Sequence, residues 1–308
     1  DSLPRAARGR SVFNLSTRLE FLEDFRAAMR REGDAEFDLS VDGRVWRNRI
    51  SRAPLETGRW GWMVAQFDIT ASREAEALQN RLVSDVSHEF KTPLTSIRGY
   101  AETLFDELDA EDPDSAFQRR SLERILAATT HLEEVVRDLL DLGHLRETGG
   151  RLRREELDLG DVIRDAMGTL ERQAAEKGVR IVVDLPSGPV RLRGDRGRLV
   201  RAMLNLLSNG LKYGAPGEPV RVEVSRTDDS WVVAVIDRGA GIAPEAVSHL
   251  FERFFRVDHG RSRDAGGTGL GLAIVREVAK AHGGDATVES KVGEGSVFRL
   301  RLPFGSDA

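Results

Sequence analysis

Alternating apolar and polar positions mark residues 1–72, and this two-residue period predicts strands. Asp42-Gly43 stands between two such stretches, and this pair supplies the positive φ angles of a tight hairpin turn. We therefore predict a small α+β unit at this end of the chain. Its elements are strands at Phe37–Val41, Val45–Ile50 and Gly61–Ile69 and a helix at Arg18–Arg31.

Residues 73–147 change to a helical period and contain only two glycines, Gly99 and Gly143. One apolar stripe follows the alternating three- and four-residue spacing of a coiled-coil seam. An earlier helix over Ala71–Leu108 carries a second stripe, and Asp109–Ser115 predicts the break between the helices. Because an antiparallel helical hairpin buries only one face of each helix, we predict a dimer that forms a four-helix bundle. The seam consists of Leu122, Ile125, Thr129, Leu132, Val136, Leu139 and Gly143.

Gly149-Gly150 predicts a helix stop followed by a linker. Beyond it, helices and strands alternate in mixed order, which predicts an α/β sandwich. The predicted helices are Leu159–Lys177, Arg196–Tyr213, Pro244–Phe251 and Gly271–His282, and the predicted strands are Val179–Asp184, Val220–Ser225, Trp231–Asp237, Asp285–Ser290 and Ser296–Leu302. The fold class is thus a multidomain α+β protein with domains at 1–72, 73–148 and 149–308.

The amino-acid composition excludes several classes of function. Of 308 residues 40% are apolar, which is enough for packed cores, and a net charge of −5 argues against a nucleic-acid partner. The absence of cysteine excludes disulfide scaffolds, cysteine-ligated zinc, iron–sulfur clusters and thiol nucleophiles. No apolar run approaches the ~18 residues of a membrane span. Because the sequence begins with Asp1 rather than Met, we expect a cytoplasmic catalytic region and leave open a membrane anchor upstream.

A histidine with an adjacent carboxylate lies in the first long helix. His88 and Thr92 are four residues apart and share a helical face. Glu89 can accept the Nδ1 proton of His88, which leaves Nε2 with the free lone pair of a nucleophile. Taken alone, an exposed helical histidine is the simpler interpretation. Pro93 shifts the balance, because a proline inside a helix costs about 3 kcal/mol and a functional bend would explain it.

A second cluster lies on the helix Arg196–Tyr213. Asn205, Asn209 and Lys212 share one face, where amide oxygens suit Mg²⁺ and the ammonium group suits phosphate. The plainer interpretation of this cluster is a solvated polar face.

Two glycine-rich segments suit a nucleotide. Asp237 ends a strand, and Gly239 and Gly241 after it would let a purine approach the backbone while the carboxylate accepts its amine proton. The plainer alternative is a glycine-rich turn. The segment Gly266–Leu272 opens a helix whose N–H groups attract phosphate. Its position near the end of the chain excludes a Rossmann motif, and no Gly-Lys-Ser/Thr follows to make a Walker loop.

Between these segments, the aromatic stretch Leu250–Phe255 resembles an anchor. The basic residues after it, His259–Ala265, resemble a mobile lid over phosphates. Arg256, Arg261 and Arg263 are the candidate phosphate contacts, with solvated loop charge as the alternative.

These motifs, in this order over about residues 73–305, resemble the bacterial two-component sensor histidine kinases. The resemblance implies that His88 accepts a phosphoryl group, that Asn209 binds Mg²⁺ and that Asp237 binds adenine. It also implies that Lys212 and Tyr213 contact phosphate and adenine and that Arg256 contacts the γ-phosphate. Gly210 departs mildly from a family position where alanine is common. The remaining candidates for ATP binding are Asn205, Gly239, Gly241, Gly267, Thr268, Gly269, Leu270 and Gly271.

The predicted function is therefore phosphorylation of His88 from ATP·Mg²⁺ and transfer to an aspartate of a response regulator receiver domain. The resemblance also implies phosphatase activity toward that regulator, with Thr92 orienting a water. One alternative is an ATP-hydrolysing machine of the same superfamily, but its catalytic glutamate is replaced here by Asn205. The other is a non-catalytic scaffold. The stretch Phe67–Thr70 resembles the closing strand of a PAS sensor domain, and we expect residues 1–72 to be either a partial or a degenerate copy of such a domain.

Overall fold

A computed structural model describes Glu23, Arg26, Ala27 and residues 34–54, 60–108, 114–147, 152–257 and 267–304. The chain forms two compact units, Asp1–Ser87 and His88–Ala308. Within the described ranges, no helix combines the length and apolar character needed to cross a bilayer. Four predicted features lie wholly or mostly outside these ranges, namely the helix Arg18–Arg31, the break Asp109–Ser115, the linker Gly149-Gly150 and the lid His259–Ala265.

The first unit contains the three predicted strands as one antiparallel sheet. The strands β1 (Ala35–Val41), β2 (Arg44–Pro54) and β3 (Trp60–Asp68) lie in the order β1-β2-β3. Asp42 and Gly43 have φ angles of 48° and 77°, which confirms the predicted hairpin turn. The sheet therefore folds as its alternation predicted.

The sheet continues directly into a long helix, α1 (Thr70–Leu108). Asp68 caps this helix, because its Oδ1 accepts from the Thr70 amide at 3.0 Å. Arg47 and Arg73 both bind Asp38, at 2.8 Å and 2.5 Å, and they hold the pKa of that carboxyl well below its usual range. The start of α1 is thus tied to the sheet by polar contacts.

The second long helix, α2 (Ser115–Glu147), begins at a cap in which Asp114 Oδ1 accepts from the amides of Ala116 and Phe117. Its buried positions, Ser121, Val135, Asp138 and Leu142, lie one residue before members of the predicted seam. Leu122 and Val136 of that seam stay 53% and 43% exposed. The apolar stripe is therefore wider than one contact surface, and the residues that the structure describes leave part of it uncovered.

The rest of the second unit is built on a five-stranded mixed sheet. Its strands are β5 (Ile181–Asp184), β7 (Val220–Arg226), β8 (Ser230–Asp237), β10 (Gly295–Pro303) and β9 (Asp285–Lys291), in that order, with only β5 and β7 parallel. The helices α3 (Leu159–Lys177), α4 (Arg196–Tyr213) and α6 (Gly271–Ala281) share one apolar core with this sheet. This confirms the predicted α/β sandwich.

Two details differ from the prediction. A small sheet of β4 (Glu155–Asp158) and β6 (Arg191–Gly194) was not predicted. The helix predicted over Pro244–Phe251 is wrong beyond its first turn, because α5 covers only Pro244–Val247. The following amides bond three residues back, as His249 does to Ala246 and Glu252 to His249, so the chain continues as successive tight turns.

Close packing explains the departure at Gly210. A Cβ added there would lie 2.9 Å from Cγ1 of Val220, which is closer than side chains approach each other. The glycine therefore accommodates the valine on β7.

A buried histidine supports the start of α4. His282 is 7% exposed, its Nε2 accepts from the Asp195 amide at 3.0 Å, and its Nδ1 lies 2.8 Å from the Val278 carbonyl. Burial lowers the pKa of His282, so the neutral imidazole is the form that the fold favours.

We expect this histidine to make the folded state less stable in acid. Because its folded pKa lies below the unfolded value, the stabilisation is complete above about pH 6.5 and is lost as pH falls below that value, by at most about 1.4 kcal/mol per pH unit. Urea unfolding at pH 7.5 and pH 5.5 measures the loss. His282→Gln should be less stable at pH 7.5 and should lose less on acidification, whereas exposed His249→Gln should behave as the wild type. Equal acid sensitivity of His282→Gln and the wild type would contradict the assignment.

Candidate active site

The polar face of α4 meets the glycine-rich loop that precedes α6. Asn205 Nδ2 donates to the Gly271 carbonyl at 3.2 Å. The Lys212 ammonium lies so close to Gly267 that a Cβ added there would be 2.6 Å from Nζ. Lys212 Nζ also lies 4.8 Å from the centre of the Tyr213 ring. The structure thus brings together two motifs that are about 60 residues apart in the sequence, with the half-buried Asn209 one turn before Lys212 on the same helix.

The loop itself needs its glycines. Gly267 and Gly269 have φ angles of 129° and 68°, which L side chains rarely adopt. Phe254, itself at a φ of 59°, donates its amide to the Gly269 carbonyl at 3.0 Å. The loop is therefore held against the aromatic segment, and Leu270 and Gly271 lead from it into α6, whose N-terminal amides favour an anion.

Asp237 lies at the end of β8 and is 6% exposed. Its Oδ1 accepts from the Gly239 amide at 2.9 Å, and burial raises the pKa of its carboxyl. Close packing within the protein requires the two glycines after it, whether or not a ligand is bound. A Cβ at Gly239 would lie 2.0 Å from the Tyr213 carbonyl, and one at Gly241 would lie 2.0 Å from the Lys291 carbonyl.

The turn of α1 around His88 carries the predicted acceptor on its surface. His88 and Thr92 are exposed, and the Thr92 hydroxyl donates to the His88 carbonyl at 3.4 Å. Pro93 is buried. Glu89 is half-buried, and its ion-pair partner is His131 of α2, with Nε2 3.8 Å from the carboxylate.

His131 was not predicted as a site residue. Its interaction with Glu89 is the main cause that lowers the pKa of that carboxyl, and the charges of Arg256 and His88 contribute further. The Nδ1 atom of His131 is buried and has no hydrogen-bond partner in the described part of the chain. Within the described ranges the partner of the Glu89 carboxylate is thus His131, and the structure does not place that carboxylate in contact with the adjacent His88.

A second unpredicted cluster joins α2 to the nucleotide motifs. Asp138 of α2 binds the Arg201 guanidinium of α4 and accepts from the Thr268 hydroxyl at 2.6 Å. Arg201 Nε also lies 2.9 Å from Asp141 Oδ2. Charged residues on a long helix are normally interpreted as a solvent-exposed face. No pattern in the sequence therefore predicts this cluster.

Cleft shape alone does not locate the site. A cleft of about 770 Å³ reaches Asp237, but its other described lining residues belong mainly to the β9–β10 hairpin. Asn209 and Lys212 are not among them. Contacts between segments are the better guide. They join the polar face of α4, the glycine-rich loop, the aromatic segment and the turn after Asp237.

Comparison with known proteins identifies the family. A model of the His kinase A phospho-acceptor domain matches residues 78–148, and a model of the histidine kinase-, DNA gyrase B- and HSP90-like ATPases matches residues 194–306. The sensor-like histidine kinase SenX3 of Mycobacterium tuberculosis is 36% identical over 288 residues, which covers 91% of this chain and 69% of that protein. The chain belongs to the sensor histidine kinases.

Further relatives agree with this assignment. The sensor histidine kinase MtrB of Mycobacterium tuberculosis is 38% identical over 227 residues, covering 74% of this chain and 39% of MtrB. Among solved structures, full-length ShkA in complex with AMPPNP is 28% identical with a TM-score of 0.53, covering 74% of this chain and 46% of ShkA. The histidine kinase ThkA in complex with the response regulator TrrA has a TM-score of 0.60 at 20% identity and covers 93% of this chain and 83% of ThkA.

This histidine kinase is thus an ATP-dependent enzyme of two-component signalling. The predicted phospho-acceptor His88 and the predicted nucleotide-binding residues Asn209 and Asp237 are all present, which argues against the scaffold alternative. In the described ranges no group of three or more histidine, aspartate and glutamate side chains could hold a metal ion. A magnesium ion bound through ATP phosphates and one asparagine needs no such group.

Proposed function

We propose that this kinase binds ATP with Mg²⁺ between α4 and the glycine-rich loop and transfers the γ-phosphoryl group to His88. The observation that carries the proposal is the approach of Lys212 to Gly267 and of Asn205 to Gly271. These contacts define a polar wall of α4 facing the N-terminus of α6, which suits a polyphosphate. The neighbouring buried Asp237 suits the amino group of adenine, because a carboxylate accepts such a proton.

The remaining residues have roles that follow from their chemistry. Asn209 would hold Mg²⁺, which, when bound, neutralises charge on the phosphates. Lys212 and Arg256 would contact phosphate oxygens, and Tyr213, which is 51% exposed at the end of α4, would stack on the base. Gly267, Thr268, Gly269, Leu270 and Gly271 would form the phosphate cradle.

The transfer step uses the neutral imidazole of His88. Nε2 forms a bond to the γ-phosphorus as the bond from that phosphorus to the bridging oxygen of ADP breaks. The Nδ1 proton is stabilised by Glu89, whose lowered pKa keeps it ionised and able to accept. Asn205 stands where related ATPases carry a glutamate, and an amide cannot take a proton from water, so transfer to His88 is favoured over hydrolysis.

We further propose that the phosphoryl group passes to an aspartate of a response regulator, and that the kinase also dephosphorylates this regulator. The complex of ThkA with TrrA supports such a partner on the fold level. The three-stranded sheet of the first unit, which leads into α1 without a loop, supports a PAS-like sensor at residues 1–72. The domain limits 73–148 and 149–308 are part of the same proposal.

A direct assay tests the central claim. Purified protein is incubated with γ-labelled ATP and Mg²⁺, and the label is tested for stability in acid and base. We expect an acid-labile, base-stable label, which is the behaviour of phosphohistidine. Label on serine or threonine, or release of phosphate without labelled protein, would reject the proposal in favour of another transferase or an ATPase.

The uncovered apolar face of α2 supports the predicted homodimer. Leu122, Leu126 and Leu140 are 53%, 66% and 57% exposed, and they occur along one helix at coiled-coil spacings. A second copy of the hairpin would cover them in a four-helix bundle.

We therefore expect a dimer in solution that Leu126→Asp converts to monomer, because burying a carboxylate in an apolar interface without a partner is strongly unfavourable. Light scattering at micromolar concentration measures the mass. Leu185→Asp, at a less exposed leucine of the sandwich (39%), is the control and should remain dimeric. A wild-type monomer, or a dimer that tolerates the aspartate, would contradict the proposal.

A further inference from the structure

A buried carboxylate of the helical hairpin touches the loop that we assign to phosphate binding. Asp138 is 6% exposed and Thr268 is 5% exposed, although they are 130 residues apart in the sequence. The Thr268 hydroxyl donates to Asp138 Oδ2 at 2.6 Å, a length expected when the acceptor is ionised. The other carboxylate oxygen, Oδ1, binds Arg201 of α4. The carboxylate is therefore fully engaged between the two elements that form the nucleotide site.

The hydroxyl of Thr268 also connects Asp138 to the backbone of the loop. Its oxygen accepts from the Leu270 amide at 3.1 Å while its proton goes to Asp138. Leu270 immediately precedes α6, and its own side chain is completely buried. The chain of bonds from Asp138 thus sets the direction of the Thr268 hydroxyl and the conformation of the loop around it. Because both side chains are buried, water could not replace a lost bond without cost.

Apolar packing beside this cluster also holds α2 against the α/β sandwich. Leu142, one turn after Asp138, is 5% exposed and belongs to the core of the α/β sandwich, and Leu139 packs against that core. A shift of α2 along or about its axis would therefore move the Asp138 carboxylate relative to Thr268. If the Thr268 hydroxyl lost its bond to this carboxylate, it would remain buried without a partner, so the loop would have to rearrange.

We propose that Asp138 is a positioning residue that holds the glycine-rich loop in its nucleotide-binding conformation through Thr268. Nucleotide affinity then depends on the seating of α2, which is the helix opposite the phospho-accepting His88. This inference rests on the proposed function, since it takes the loop at Gly267–Gly271 as the phosphate cradle.

A purely structural ion pair is the competing explanation. In that case Asp138 would matter because it neutralises Arg201, and Thr268 would contribute nothing of its own. Asp141 separates the two explanations, since it forms an ion pair with the same guanidinium, although without the hydrogen bond that Asp138 makes, and has no described contact with Thr268. The distinguishing quantity is the energetic coupling between residues 138 and 268 in nucleotide binding.

A double-mutant cycle on the intact chain measures this coupling. Calorimetry with ADP·Mg²⁺ gives the Kd of the wild type, Asp138→Ala, Thr268→Val and the double variant. We expect each single variant to bind about tenfold more weakly and the double variant to be no weaker than the worse single one, because both remove the same bond. Thr268→Ser keeps the hydroxyl and should bind within about twofold of the wild type. Asp141→Ala combined with Thr268→Val should be additive.

The outcomes separate the inference from the proposed function. If the wild type fails to bind ADP·Mg²⁺, the nucleotide site itself is wrong. If it binds and Asp138→Ala binds equally well, or if the losses at 138 and 268 simply add, the positioning role is wrong and the ion-pair explanation stands. Should Asp138→Ala fail to fold, Asp138→Asn keeps the volume. It is expected to weaken binding in the wild-type background and to have no effect in Thr268→Val, and any other pattern overturns the inference.

Discussion

Replacing His88 with glutamine is expected to reduce labelling from γ-labelled ATP·Mg²⁺ by at least about 100-fold, because the variant lacks the only atom proposed to attack phosphorus. Glutamine keeps a polar side chain of similar reach on an exposed face of α1, so the helix itself should be unaffected. The Kd for ADP·Mg²⁺ should stay within about twofold of the wild type, since the acceptor does not line the proposed nucleotide pocket.

His131 provides the stringent comparison for this prediction. It pairs with Glu89, the residue next to His88, so it is the alternative acceptor that most needs to be tested. His131→Gln should still become labelled, and mass spectrometry should place the phosphate on His88. Labelling that disappears in His131→Gln and persists in His88→Gln would exchange the two assignments.

Loss of the Thr92 hydroxyl is expected to separate two activities. Thr92→Ala should lower dephosphorylation of a phosphorylated response regulator by about tenfold or more, while autophosphorylation stays within about twofold. The hydroxyl is exposed one turn beyond His88, and while it donates to the His88 carbonyl its oxygen can still accept a proton from water. It can therefore orient a water for attack on the aspartyl phosphate without taking part in the reaction of His88 with ATP.

The assay uses the purified regulator that takes the phosphoryl group from this kinase fastest, with ADP present, beside the labelling assay. Thr92→Ser retains the hydroxyl and serves as the matched control, which should keep both activities. If Thr92→Ala loses both activities to the same extent, the residue holds the bend before the buried Pro93, and no separate phosphatase role exists.

Local patterns predicted most of the fold because each is decided by neighbouring residues. The hairpin at Asp42-Gly43 follows from its need for positive φ, and the helix predicted at Arg196–Tyr213 forms as α4, which the structure shows to be capped by Asp195. The pair β4–β6 escaped prediction because its strands have four residues each and are mostly charged. Only Leu157 and Leu192, paired with each other, carry its apolar face.

The candidate site was predicted where motifs are contiguous and missed where partners come from distant segments. A local motif in the sequence marks Asn205, Lys212 and the glycine-rich loop. The structure adds the finding that they contact one another. His131 and Asp138 have none, because a titratable residue on a long helix has the same sequence context whether it faces solvent or a neighbouring element. The glycines at 239 and 241 have a second explanation that the sequence does not show, since close backbone packing also requires them.

Gly210 and Val220 form a pair whose members are coupled, so that neither is replaced favourably by itself. Alanine at 210 would favour the helix by about 1 kcal/mol, but its methyl group would meet the two Val220 methyls at 2.9 Å and 3.1 Å. Val220 is 1% exposed and β-branched, so it has few other rotamers in which to make room. A smaller residue at 220 alone would leave a cavity, and alanine at 210 alone would overpack the core. Each change is thus unfavourable until the other is present, so the two positions are expected to change together rather than one at a time.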